Sequence, residues 1–151
     1  MKNNKWYVIS TFVLGCIVIN FAGRILSDRL QLPLWLDSFG TVTAAYVLGP
    51  FCAAMVGMTV NLTYGILYSW TNMFYAVVSA MVGITTGICV KKGFLKNLYG
   101  VLSTSFLVAV LSVTLSVPLN YLYCDGSTQN IWGDGVIESM EKVGFNSFFS
   151  H

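Results

Sequence analysis

The sequence predicts an all-α protein, a polytopic membrane helix bundle with five spans and the start of a sixth. Two observations support this fold class. Hydrophobic residues make up 56% of the 151 residues and charged residues only 9%, whereas soluble domains carry about 25% charged residues. The apolar residues also occur in long runs, and a helix crosses a bilayer core with about 20 of them. We therefore expect residues 1–151 to form a single transmembrane domain.

Each expected helix is bounded by polar, glycine or proline residues. The first follows a basic amino terminus and continues past the length of a signal-peptide core, so we expect it to be retained. The second ends before Gly49 and Pro50, a pair typical of a tight turn. The fourth ends at the basic segment KKGFLK. The five expected spans are residues 6–26, 34–48, 51–68, 73–90 and 98–121.

The carboxyl-terminal part predicts a loop and an incomplete helix. The segment CDGSTQNIWGDG is rich in turn-forming residues. Residues 136–151 then place Ile137, Met140 and Gly144 at helical spacing, but this stretch is too short to cross a membrane. We expect the chain to be truncated within a sixth helix; if the protein ends at His151, the segment would lie at the membrane interface.

The distribution of basic residues predicts a cell-membrane protein with a cytoplasmic amino terminus. That orientation puts five basic residues inside and three outside, in agreement with the positive-inside rule. The formal net charge of +2 is too small and too dispersed for a nucleic-acid partner. The inside set is Lys2, Lys5, Lys91, Lys92 and Lys96, and the outside set is Arg24, Arg29 and Lys142.

Small residues predict that the third and fourth spans form the packed centre. Ala53 and Gly57 lie four residues apart on one span, and Ser79, Gly83 and Gly87 form a series on the other. Such spacing lets helix backbones approach closely in lipid. The series could equally contact a second membrane protein.

Polar side chains within the apolar segments need partners. Asp37 precedes the second span, where its carboxylate either caps the helix or contacts a ligand. Asn61 lies in the middle of the third span and either bonds a neighbouring helix or serves a ligand. Together with nearby aromatic residues, Asp37 and Asn61 predict a ligand pocket that opens to the outside. An aromatic belt at the membrane interface is the alternative explanation for several of these aromatic residues. The candidate ligand-binding residues are Trp35, Asp37, Asn61, Tyr64, Asn120 and Trp132.

Catalytic and metal-binding patterns do not occur in the sequence. It contains no phosphate-binding loop, no HExxH and no GxSxG, and its four cysteines include no CxxC pair. We therefore expect a protein that is not an enzyme and that holds neither metal nor cofactor.

The runs LPLWLDSFGTVTAAYVLGPFCAAMVGMTVNLTYGI, KKGF, VPLNYLY and GSTQNIWGD resemble the substrate-binding S components of energy-coupling-factor (ECF) transporters. The resemblance implies a six-helix bundle that captures a vitamin-like micronutrient from outside the cell. It also implies partners, namely a coupling membrane protein and two ATPase subunits. Related modules form the input regions of membrane sensor kinases, so a sensory module coupled to a cytoplasmic signalling domain is the alternative.

Overall fold

The chain is almost entirely helical where it is described. A computed structural model describes residues 4–30, 36–123, 134–135 and 138–139, and no strand occurs among them. Short 3-10 turns lie at Leu36–Ser38 and Phe94–Lys96. The five helices are α1 (Asn4–Leu30), α2 (Phe39–Val47), α3 (Pro50–Leu67), α4 (Asn72–Lys91) and α5 (Leu98–Tyr123).

Four of these helices, α1, α3, α4 and α5, are long and apolar enough to cross a membrane. The exception is α2, which has nine residues and is about 14 Å long at 1.5 Å per residue. A bilayer core is about 30 Å thick, so the expected span over residues 34–48 is a short helix and the count of five spans is not confirmed. Most of the expected sixth helix, residues 136–151, lies outside the described residues.

The chain forms two compact units, Met1–Ser116 and Val117–His151, and their boundary falls within α5. The first unit contains α1 to α4 and is described in the following paragraphs. In the part of α5 that belongs to this unit, Thr104 is the buried residue and most other side chains are exposed. An exposed apolar surface of this kind is compatible with lipid contact.

The interface between α3 and α4 confirms the predicted packed centre. A methyl group added to Gly83 would lie 2.7 Å from the carbonyl carbon of Ala53, and one added to Gly87 would overlap Pro50. Gly57 is equally close to Ser79. The helices are antiparallel and pack backbone against backbone, which is the arrangement that small residues allow in lipid.

One face of the short helix α2 packs against α1 and α3. Ala44 and Ala45 are fully buried and belong to a core with Cys16 of α1 and Ala53 and Val56 of α3. Because these side chains are small, the three helices approach closely. Residues on the opposite face of α2 are exposed, so protein covers this short helix on one side only.

The order of the helices brings two basic segments towards one end of the first unit. Gly23 faces Leu36 and Gly40 faces Cys16, so α1 and α2 are antiparallel. Gly49, with a positive φ of 91°, then turns the chain into α3 beside Lys91 at the end of α4. The amino-terminal half of α1 and the Lys91 end of α4 therefore lie on the same side, whose direction relative to the cytoplasm stays a prediction.

Candidate functional site

A cluster of polar side chains surrounds Arg24 inside the first unit. Nη2 of Arg24 donates to Oδ1 of Asn72 at 2.7 Å, and Nη1 donates to Oδ1 of Asn61 at 3.3 Å. Nη1 also lies 3.5 Å from Oδ2 of Asp37. One guanidinium thus joins α1, α3, α4 and the 3-10 turn before α2. We call these four residues and Tyr64 the arginine cluster.

An aromatic stack covers one face of the guanidinium. The central carbon of Arg24 lies 4.3 Å from the ring centroid of Tyr64, which is a cation–π distance. Tyr64 also stacks against Phe21 at 5.4 Å and against Tyr68 at 4.9 Å between centroids. Tyr64 is 6% exposed and Tyr68 is 73% exposed, so the stack leads from the buried cation to the surface.

The two asparagines are held with their carbonyl oxygens towards Arg24. Nδ2 of Asn61 donates to Oγ of Ser79 at 2.7 Å and to the backbone oxygen of Gly57 at 3.2 Å. Nδ2 of Asn72 donates to the backbone oxygen of Ser69 at 3.3 Å. These bonds fix both amide groups, so their two oxygens and Oδ2 of Asp37 face the cation. The close approach of α3 and α4 at Gly57 brings Ser79 within reach of Asn61.

Asp37 compensates the charge of Arg24 from an enclosed position. The side chains of Arg24 and Asp37 are 17% and 10% exposed. Burial raises the pKa of the Asp37 carboxyl group, and the positive charge of Arg24 opposes this increase. The remaining oxygen has a weak contact, 3.5 Å from Oγ of Ser38. The ion pair is therefore a single contact rather than a bidentate one.

The cap of α2 comes from another helix and not from Asp37. Ser38 at the N-cap position makes no side-chain capping bond. Instead, the backbone N–H of Gly40 donates to Oδ1 of Asn20 at 2.6 Å, and Nδ2 of Asn20 donates to Oγ1 of Thr41 at 2.9 Å. Asn20 is fully buried. The capping interpretation of Asp37 is replaced by a cap from α1 and an ion pair to Arg24.

Three of the six predicted site residues, Asp37, Asn61 and Tyr64, come together in the arginine cluster. Their binding of a ligand stays a prediction. Asn120 lies in the part of α5 that belongs to the second unit, Val117–His151. Trp35 and Trp132 lie outside the described residues.

The sequence interpretation missed the central residue of the cluster. Arg24 was counted only among the basic residues expected on the outside, and Asn72 was not among the candidate ligand-binding residues. A usable signal was present, because Arg24 follows a long apolar run and an ionisable residue in such a position needs a partner. Between residues 29 and 124 the sequence holds a single acidic residue, Asp37.

An apolar groove elsewhere on the first unit does not involve this cluster. It has a volume of about 540 Å³ and is lined by residues of α1 between Tyr7 and Ile19 and by Thr43 of α2. No residue of the arginine cluster lines it. The groove therefore offers apolar contact without the directional hydrogen bonds of the cluster.

The cluster combines a cation, amide oxygens and an aromatic face, a set that recognises small polar molecules with flat groups. Within the described residues, no group of three His, Cys, Asp or Glu side chains is placed to hold a metal ion. The fold and site thus define a helical bundle of membrane-spanning character around a buried polar cluster. No protein-family model, curated protein or solved structure matches the chain.

Proposed function

We propose that this chain is the substrate-binding membrane subunit of an ECF-type micronutrient transporter and that a vitamin-like small molecule binds at the arginine cluster. The observation that carries the proposal is the convergence of Arg24, Asp37 and Asn61 from separate segments of an apolar bundle. Charged and amide groups at such positions are expensive to bury and commonly mark a substrate site. The sequence resemblance to S components supports the same function.

The chemistry of the cluster suggests how a ligand would bind. A carbonyl of the ligand would accept a hydrogen bond from Arg24, and an N–H or O–H of the ligand would donate to Asp37, whose contact with the guanidinium at 3.5 Å is the longest of the three. A flat ring would stack on Tyr68, the exposed end of the aromatic stack. Trp35, Asn120 and Trp132 stay proposed members of the site.

The first test is to identify small molecules that accompany the purified protein. The chain is expressed, extracted in mild detergent and analysed by untargeted mass spectrometry, and a panel of water-soluble vitamins is titrated in parallel by thermal shift. We expect one compound to co-purify and to raise the unfolding temperature. A combined D37A/N61A variant should lose that compound.

A matched control separates loss of binding from general damage to the bundle. Thr63 lies two residues after Asn61 on α3, and its hydroxyl donates to the backbone oxygen of Thr59 within the same helix. T63A should retain the compound. If D37A/N61A folds and binds the compound as tightly as T63A does, the arginine cluster is not the binding site.

The proposed partners are a coupling membrane protein and two ATPase subunits, which would supply the energy for uptake. Affinity purification of the chain from membranes of its native host should recover ATPases of this type. Recovery of a signalling kinase without ATPases would instead favour the sensory alternative and contradict the transport proposal.

A further inference from the structure

Three lysines occupy the short turn between α4 and α5. Lys91, Lys92 and Lys96 lie within six residues and are all exposed. The turn is compact, because Gly93 adopts a positive φ of 79° and its N–H donates to the oxygen of Val90 at 2.9 Å. The N–H of Lys96 in turn donates to the oxygen of Gly93 at 3.2 Å. We call residues 91–99 the lysine turn.

The positive charge of the lysine turn is not compensated by the first unit. The sequence contains no Asp or Glu between Asp37 and Asp125, and Asp37 is paired with Arg24. Among the described residues, none of the three lysines forms an ion pair. Lys91 lies in the last turn of α4, where a cation favours the helix dipole, but Lys92 and Lys96 lie beyond the helix.

Apolar side chains next to these lysines are also exposed. Phe94, Leu98 and Tyr99 are 49%, 72% and 85% exposed. The turn joins two helices that are long and apolar enough to cross a membrane, so it lies where a bilayer changes from acyl chains to headgroups. Aromatic and basic side chains are typical of this boundary. The lysines and the apolar residues together match the two parts of a phospholipid.

We propose that the lysine turn is a binding surface for phospholipids with anionic headgroups. The phosphate and its net negative charge lie among Lys91, Lys92 and Lys96, while Phe94 and Leu98 contact the upper acyl chains. Each lysine close to an anionic membrane surface strengthens binding roughly fivefold, and the effect decreases with salt. Three lysines therefore give a preference of roughly 100-fold over a zwitterionic lipid.

Native mass spectrometry of the full chain tests this surface. The protein in neutral detergent is mixed with equal amounts of phosphatidylglycerol and phosphatidylcholine, and the bound lipids are counted. We expect the wild-type chain to retain phosphatidylglycerol preferentially. The variant K91Q/K92Q/K96Q should lose most of the preference, and K91R/K92R/K96R, which keeps the charges at the same positions, should retain it.

Three results would overturn the proposal. The first is a wild-type chain that binds phosphatidylglycerol and phosphatidylcholine equally, and the second is an unchanged preference for phosphatidylglycerol in the glutamine variant. The third is displacement of phosphatidylglycerol by millimolar inorganic phosphate, which would indicate a site for small anions. If the triple variant does not fold, K92Q and K96Q are measured singly. Each should lose roughly fivefold in preference, and an unchanged preference in both also contradicts the proposal.

Discussion

The arginine cluster and the lysine turn carry charge in opposite ways. Arg24 is 17% exposed and has an anion, two amide oxygens and an aromatic face around it. The three lysines of the turn are exposed and have no ion-pair partner among the described residues. A charge inside an apolar bundle is tolerated only with partners, whereas a charge at the membrane surface is stabilised by water and headgroups.

The difference extends to the backbone that holds each group. Four segments converge on Arg24, and no buried side-chain nitrogen or oxygen in the described part of the chain lacks a hydrogen-bond partner. The lysine turn has local backbone hydrogen bonds and no ion pair among the described residues. Substitutions at Arg24 should therefore affect the whole fold, while substitutions in the turn should affect what binds to the surface.

The largest expected effect follows from removing the partly buried cation. Arg24→Met leaves Asp37 enclosed without its counterion, and breaking one partner of a buried pair costs about 3–5 kcal/mol. Thermal unfolding in detergent, followed by circular dichroism, should show a large decrease in stability. Arg29→Met, on the exposed surface of the same helix, is the control and should change stability by less than about 0.5 kcal/mol.

A second substitution makes this prediction specific to charge. In the double variant R24M/D37N no uncompensated carboxylate remains, so part of the lost stability should return. Equal stability of R24M and the double variant would show that Asp37 does not depend on Arg24. Equal stability of R24M and R29M would show that the cluster does not contribute to the fold.

The next effect concerns the helix pair that carries Asn61 and Asn72. Gly83→Leu inserts a side chain where even a methyl group would lie 2.7 Å from Ala53, and overpacking of this kind costs about 1–3 kcal/mol. The unfolding temperature should fall accordingly. Gly15→Leu is a suitable control, since nothing lies within 4 Å of a methyl group at Gly15. If the two variants are equally stable, the close packing of α3 against α4 at Gly83 is contradicted.

The sequence predicted the packed helix pair because its signal is local. Gly57 and Gly83 lie in small-residue series that are visible without any knowledge of the partner helix. Asp37 and Asn61 were equally visible, since polar residues in apolar runs are conspicuous. Arg24 was also visible as an ionisable residue that needs a partner, but its pairing with these two residues was not. The contact of Arg24 with Asn61 joins residues 37 positions apart, and it depends on how α1 crosses α3.

The length of the second helix was mispredicted for the same reason. Residues 34–48 are mostly apolar apart from Asp37, Ser38 and two threonines, whereas helix α2 begins at Phe39. Its first turn is capped by Asn20, about 20 residues earlier in the chain. Ser38 at the N-cap position is of a residue type that commonly caps helices, but it makes no side-chain capping bond, so the local sequence does not show that the cap comes from α1.

Removal of this cap should have a smaller effect than the loss of Arg24. Asn20→Ala deletes the bonds to Gly40 and Thr41 and should cost about 1–2 kcal/mol. Thr43→Ala is the control, because the Thr43 hydroxyl donates only to the backbone oxygen of Phe39 in the same helix. Denaturation of both variants measures the difference. If N20A is as stable as T43A, the cap from α1 does not determine where α2 begins.

The smallest expected effect lies at the lysine turn, and it completes the comparison. In neutral detergent, K92Q/K96Q should change the free energy of unfolding by less than about 0.5 kcal/mol, because exposed lysines without partners lose no interaction. The stabilisation by added phosphatidylglycerol should decrease in the same variant, since binding to the folded state raises stability by mass action. Destabilisation in the absence of lipid, comparable to that of R24M, would show that the lysines have a structural role. The two charged regions would then differ in exposure and not in function.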